Sequence, residues 1–139
     1  MCPEINGAFT GAVSASMLQS IGVQWALAGH SERRVLFGET DEYINGQVKK
    51  LMELGMSCML CIGESESEYE QNLAGAVCAV QLKKGLAGVS KEEMSRIAIG
   101  KFSCLVQFST FRLANRPAHK MAIFLHVIPP FEWSSLDLS

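Results

Sequence analysis

Two short apolar runs, each closed by glycine, constrain this chain more than any other feature. "VQWALAG" (23–29) and "MSCMLCIG" (56–63) are continuously apolar rather than alternating. Strands of that kind suit a parallel sheet covered on both faces. Between them, residues 40–55 predict a helix. Thr40 or Asp41 caps it, acidic residues fill its first turn, and Ile44, Val48, Leu51 and Leu54 fall on one face. Lys49 and Lys50 lie in its second half, and Gly55 supplies the stop. A second helix is expected within 65–88. It has an acidic start, apolar positions at Leu73, Val77 and Val80, and Lys83-Lys84-Gly85 near its end. Residues 91–99 then lead into a third apolar run, Ile97-Ala98-Ile99.

The order strand, helix, strand, helix, strand, with crossovers of the length a parallel βαβ unit requires, gives an α/β architecture of parallel strands alternating with helices. Doubly wound and barrel versions both satisfy it. In both, polar chemistry collects where strands end. His30 and Glu64 lie there, just past the two closing glycines.

At 139 residues the chain is long enough for one domain with a real core, and 48% hydrophobic with 19% charged residues argues against disorder. A net charge of -2 gives no reason to expect nucleic acid or an anionic membrane as partner. The charge is unevenly spread: residues 1–99 carry 8 Lys+Arg against 12 Asp+Glu, and residues 100–139 carry 4 against 2. The N-terminus lacks the basic start and apolar core of a secretory leader, and "MAIFLHVI" (121–128) is far short of the ~20 residues a membrane span needs. Five cysteines, an odd count without framework spacing, read as reduced thiols in a cytoplasmic protein.

Past Ile99 the periodicity is lost. Residues 100–139 hold Asn-Arg-Pro and Pro-Pro breakers with scattered aromatics and no helical or alternating pattern.

His30 is the leading chemical candidate. Ser31-Glu32-Arg33-Arg34 reads as the first turn of a helix, whose N-terminus carries partial positive charge and free N–H groups. That setting disfavours protonation, so a neutral imidazole there is able to donate a hydrogen bond to a developing oxyanion. Cys58 and Cys61 match C-x-x-C, but no second cysteine pair or histidine pair follows at zinc-finger spacing. On a strand the two would point to opposite faces and could not share a metal. Glu64, Glu66, Glu68 and Glu70 suggest a cation site, although a solvated helix start explains them better. Gly7-Ala8-Phe9-Thr10-Gly11 lacks the Gly-Lys-Ser/Thr of a P-loop.

Three motifs, in order and spacing, carry a resemblance: Asn6-Gly7-Ala8-Phe9-Thr10-Gly11; Gly29-His30-Ser31-Glu32-Arg33-Arg34 ending in Phe37-Gly38-Glu39; and Cys61-Ile62-Gly63-Glu64. Together they make the chain resemble the triosephosphate isomerase family over about residues 4–99. That stretch corresponds to the middle of the family's (β/α)8 TIM barrel, from the loop after strand three to the start of strand six. The resemblance implies a partial barrel and a cofactor-free, metal-free interconversion of dihydroxyacetone phosphate and glyceraldehyde 3-phosphate in glycolysis and gluconeogenesis. It also implies a homodimer that uses neither nucleic acid nor membrane.

Residue by residue, His30 matches the family's electrophilic histidine, a long-described case of a neutral imidazole at a helix N-terminus. Glu32 matches the glutamate that orients the active-site lysine, and Ser31 and Cys61 match supporting positions. Thr10 matches the tip of the loop that reaches into the partner's active site. Arg33 matches the arginine that pairs with a loop glutamate across that interface. Here the family's Gly-Glu after the threonine reads Gly11-Ala12, which removes that carboxylate.

The resemblance also implies what to look for and not find. The asparagine and lysine after the family's strand one have no counterpart. Where the family continues after its sixth strand with Ala-Tyr-Glu-Pro-Val-Trp, this chain reads Gly100-Lys101-Phe102, so the proton-abstracting glutamate is missing. The one later glutamate, Glu132, matches nothing in the family. The expected organisation is therefore a central barrel portion over 1–99 and an unrelated tail over 100–139. Gly-Lys-Phe can be encoded GGT-AAG-TTY, which contains GTAAGT, a typical intron start, so the tail is expected to be translated intron. An internal deletion is the rival, since the family's "AIGTGK" also ends in Gly-Lys. A chain of this kind is expected to be inactive alone, with association to full-length subunits as the alternative role. Open sheet edges and uncovered apolar faces predict poor stability.

Overall fold

The computed structural model describes residues 1–2 and 8–101. Asn6, Gly7, Glu132 and the tail from 102 onward lie outside the described residues. Helix α1 (Ala15–Ser20) is capped by Ser14, whose hydroxyl accepts from the Met17 N–H. Strand β1 (Trp25–Ala28) and helix α2 (Ser31–Phe37) follow, then helix α3 (Asp41–Glu53) and strand β2 (Ser57–Ile62). Helices α4 (Glu66–Glu70) and α5 (Ala74–Gly85) come next, and a 3-10 turn (Glu93–Arg96) leads into strand β3 (Ile97–Lys101).

The three strands form one parallel sheet in the order β1-β2-β3. Ala28 lies opposite Leu60, and Leu60 opposite Ile99. Helix α3 packs on β1 and β2, α5 packs on β2, and the two helices pack on each other. Both crossovers therefore lie on one face of the sheet. Three parallel strands in sequential order with both helices on one face fit a segment of a barrel, and equally one half of a doubly wound sheet, which changes face only where its strand order reverses.

The core lies between this face and α3. Ala26, Ala28, Cys58, Leu60, Ile62, Ile97 and Ile99 meet Ile44, Val48, Leu51, Met52 and Leu86. Ile44, Val48 and Leu51 are fully buried, as their spacing predicts, and each stabilises by roughly 1.5–3 kcal/mol relative to exposure. Thr40 is the cap, its hydroxyl accepting from the Tyr43 N–H at 3.2 Å. Gly55, at φ 70°, follows the helix end. The opposite face of the sheet differs from expectation. The runs read as covered on both sides, yet Trp25 and Leu27 are about half exposed there. Among the described residues that face is packed at Cys61, which is fully buried, but not along β1.

The region 65–88 corrects the sequence reading. It holds two helices, not one. Asn72, at φ 58°, breaks it. The Leu73 N–H returns to the Glu68 carbonyl and the Asn72 N–H to that of Tyr69, the paired closure of a Schellman motif with asparagine at the left-handed position. The buried face of α5 is displaced as well. Leu73 and Val80 are exposed, while Cys78, Leu82 and Gly85 face the core. A Cβ on Gly85 would sit 3.2 Å from Leu60 Cδ2, so the helix rests on β2 through a glycine that a search for apolar positions does not find. Finally, β3 runs two residues past Ile99, with Gly100 opposite Cys61 and Lys101 opposite Ile62.

Candidate active site at the end of β1

The site begins with Gly29. Its φ is +77°, and a Cβ there would lie 2.8 Å from the Cys61 carbonyl oxygen, 3.1 Å from Arg34 Nη2 and 3.3 Å from Ile44 Cγ2. Only glycine combines that conformation with that approach of β1 to β2. His30 follows as the N-cap of α2. Its Nδ1 accepts from the Glu32 N–H at 3.4 Å. With Nδ1 used as an acceptor, the ring proton of the neutral imidazole sits on Nε2. The His30 side chain is 25% exposed, and the exposed Glu32 carboxylate reaches to 3.9 Å from Nδ1. Ser31 opens the helix, half-buried.

Arg34 joins several parts of the site. Its Nε donates to the Gly29 carbonyl at 2.8 Å, its Nη1 to Asp41 Oδ1 at 2.6 Å and its Nη2 to the Cys61 carbonyl at 3.5 Å. The guanidinium thus ties the end of β1 to the end of β2 and to the start of α3. Arg33 turns elsewhere. Its Nε donates to the buried Glu39 Oε1 at 2.7 Å, and its guanidinium lies 4.5 Å over the Phe37 ring. Within the described chain the partner of Arg33 is therefore Glu39. In the sequence Glu39 stands out only as the end of a motif. Thr10 occupies an exposed turn closed by the Ala12 N–H on the Phe9 carbonyl, and Gly11 at φ 83° is the residue that a type II turn requires there.

At the end of β2, Glu64 is buried, with Lys101 Nζ 3.9 Å from its Oε2 and the Cys78 thiol 3.9 Å from the same oxygen. Gln81 of α5 clasps Gly63 by two bonds, accepting from its N–H at 2.9 Å and donating to its carbonyl at 3.0 Å. The acidic run resolves into separate roles. Glu68 completes a capping box with Ser65, whose backbone and side-chain bonds hold the Glu68 carboxyl below its ordinary value.

Cys58 belongs to the core between sheet and helices, and Cys61, three residues on, stands outside that cluster. Burial pushes the Cys58 thiol up to about 12, with Cys61 adding to it, and pushes Cys61 up to about 11 against the pull of Arg34. Both stay neutral thiols at pH 7, poor as nucleophiles and as ligands. Among the described residues no three His, Cys, Asp or Glu side chains gather to hold a metal ion, and no helix is long and apolar enough to cross a membrane.

The structure thus brings His30, Glu32, Cys61 and Glu64 to one edge of the sheet and adds Arg34, Asp41 and Gln81, which sequence reading had not assigned to it. In the sequence Asp41 reads as a cap candidate, and an arginine four residues after the histidine is the available signal for Arg34.

A family model described as triosephosphate isomerase matches residues 1–100. The triosephosphate isomerase of Carboxydothermus hydrogenoformans is 48% identical over 96 residues, which is 69% of this chain and 38% of that protein. That of Fusobacterium nucleatum subsp. nucleatum is 46% identical over 97 residues, 70% of this chain and 39% of that protein. That of Chlorobium luteolum is 46% identical over 87 residues, 63% and 35%. The chain spans less than two fifths of the length of these relatives.

Proposed function

The chain belongs to the triosephosphate isomerase family, and on that premise we propose that it carries the histidine-bearing segment of a cytoplasmic isomerase that interconverts dihydroxyacetone phosphate and glyceraldehyde 3-phosphate. The observation that carries this reading is His30 itself, capping α2 through Nδ1. The reaction moves one proton between adjacent carbons through an enediolate while the two substrate oxygens exchange carbonyl and hydroxyl character. A neutral imidazole donating from Nε2 stabilises the negative charge that develops on those oxygens. One carbon is oxidised as its neighbour is reduced, so there is no net redox change and no group transfer, and the chemistry calls for no cofactor.

Proton abstraction needs a base. Gly100 and Lys101 end β3 where the family continues into its glutamate, and a positioned general base is worth about 10²–10⁴-fold. In this reading residues 1–99 are the family portion and 100–139 a tail of different origin, and the chain alone does not turn over. The test is a coupled assay of triose phosphate interconversion on the purified chain beside His30→Gln. Equal, background rates are expected. Turnover that His30→Gln abolishes would refute the inactive reading and move the base into residues 100–139, with Glu132 the first to substitute. Sequencing transcripts across the codons for Ile99–Phe102 tests the origin of the tail. Most copies carrying it uninterrupted in mature message would count against a retained intron.

A second reading is a non-catalytic chain that associates with full-length subunits. It is favoured by the exposed Val35, Leu36 and Phe37 of α2, beside the Arg33–Glu39 pair, and by the exposed Thr10 turn. The same surfaces support a homodimer. Co-purification with an intact family enzyme, lost on Phe37→Asp, would support association.

A further inference from the structure

Arg34 has a double hold on His30. The two carbonyls that flank the His30 Cα are those of Gly29 and of His30 itself. Arg34 binds the first through Nε at 2.8 Å and the second through its own backbone N–H at 3.1 Å. The Gly29 carbonyl and the His30 N–H belong to one rigid peptide plane, and the His30 carbonyl belongs to the next. Those two planes set φ and ψ at His30, and so the direction of its Cα–Cβ bond. The guanidinium is held in turn by Asp41 and by the Cys61 carbonyl, and the space it occupies beside Gly29 exists because position 29 has no Cβ.

We propose that Arg34 is the positioning residue for His30: its guanidinium and backbone N–H together lock both peptide planes at the strand end, and through them the ring. This deepens the functional reading and rests on His30 as the group that meets substrate. Lysine cannot replace arginine in this role. An ammonium can keep the charge opposite Asp41, but it has no planar fork to satisfy Gly29, Cys61 and Asp41 at once.

The test is nitrogen-15 NMR of the His30 ring in the full chain without substrate, assigned with His30→Gln. Recorded at alkaline pH, where an imidazole is neutral, the unsubstituted chain is expected to show one bare and one protonated ring nitrogen at separate shifts. Arg34→Lys is expected to draw the two shifts together as the ring samples both tautomers, with far-UV helix content kept. Asp41→Asn, which leaves the fork on both carbonyls, is expected to lower stability yet keep the separated shifts. Equal changes in both variants, or none in Arg34→Lys, would overturn the proposal. Should neither variant fold, scalar coupling across the hydrogen bond from Arg34 Nε to the Gly29 carbonyl carbon is read in the unsubstituted chain, and its absence overturns the proposal equally. No substrate enters these measurements, so a chain without turnover leaves this result standing and bears on the functional reading alone.

Discussion

Arg34 and Asp41 form an ion pair in which Nη1 lies 2.6 Å from Oδ1 and both side chains are more than four-fifths buried. Removing one partner leaves the other charge stranded. Arg34→Met is expected to destabilise the chain by about 3 kcal/mol, since among the described residues the cation left near Asp41 is Lys84, 4.0 Å away and half exposed. Asp41→Asn, which keeps a hydrogen-bond acceptor for the guanidinium, is expected to cost less. Amide hydrogen exchange in β1 and β2 measures both, and equal protection in Arg34→Met and the parent chain would contradict the expectation.

Gly29→Ala is expected to cost about 1–3 kcal/mol from the left-handed backbone alone, with the 2.8 Å approach to the Cys61 carbonyl added to it. By contrast Gly11→Ala, also at positive φ but with nothing within 4 Å, is expected to carry only the conformational cost. The two variants compared by limited proteolysis separate strain from collision. Gly11→Ala as labile as Gly29→Ala would remove the steric part of the argument.

The raised thiols make a pH prediction with a definite sign. Cys58 and Cys61 ionise in the unfolded chain near their ordinary value of 9.0, and in the folded chain at about 12 and about 11. Between those limits the folded form holds protons that the unfolded form has lost, so stability falls as pH rises from 9. Well below pH 8, where the unfolded thiols are protonated too, the two contribute no slope. Unfolding midpoints should fall between pH 8.5 and 10.5, and a Cys58→Ala/Cys61→Ala double variant should flatten the fall. An unchanged slope in the double variant would assign the loss to other groups.

Helix α5 offers a paired test. Val80→Ser, on an exposed position, is expected to change stability by less than about 0.5 kcal/mol. Leu82→Ala, facing the core, is expected to cost about 2 kcal/mol, and Leu51→Ala on α3, fully buried, up to about 5. A larger loss at Val80 than at Leu82 would restore the face that the sequence pattern suggests.

The open face of the sheet should govern behaviour in solution. Trp25 and Leu27, half exposed on β1, present adjacent apolar surface. The chain is expected to aggregate, and Leu27→Lys to raise the monomeric fraction in size-exclusion chromatography. A sharp, cooperative thermal transition of the unsubstituted monomer would contradict this.

Much of the fold was legible because its signals are local. The glycine-closed apolar runs became β1 and β2, and Ile44, Val48 and Leu51 became the buried stripe of α3. What escaped depended on contacts distant in sequence or on a single dihedral angle. Asn72 breaks a pattern that reads as one helix, and nothing but its φ reveals the break. Gly85 is a core position with no side chain to register as apolar. In the candidate site, the place of His30 at a helix start was legible in its neighbours, whereas the Arg34 fork reaches Cys61 across 27 residues and Gln81 reaches Gly63 across 18. No periodicity encodes such pairs.

The clasp of Gln81 on Gly63 has a mechanical consequence. A carboxamide that meets both the N–H and the carbonyl of one residue behaves like a neighbouring peptide unit, so the position of α5 along the strand end is fixed there by a matched pair of bonds. Sliding the helix by a single turn, about 5.4 Å, would break both bonds at once and offer the amide no equivalent seat. The helical layer and the strands therefore share a longitudinal detent at Gly63, and α5, seated on Leu60 at Gly85 as well, cannot ratchet past it without losing both bonds.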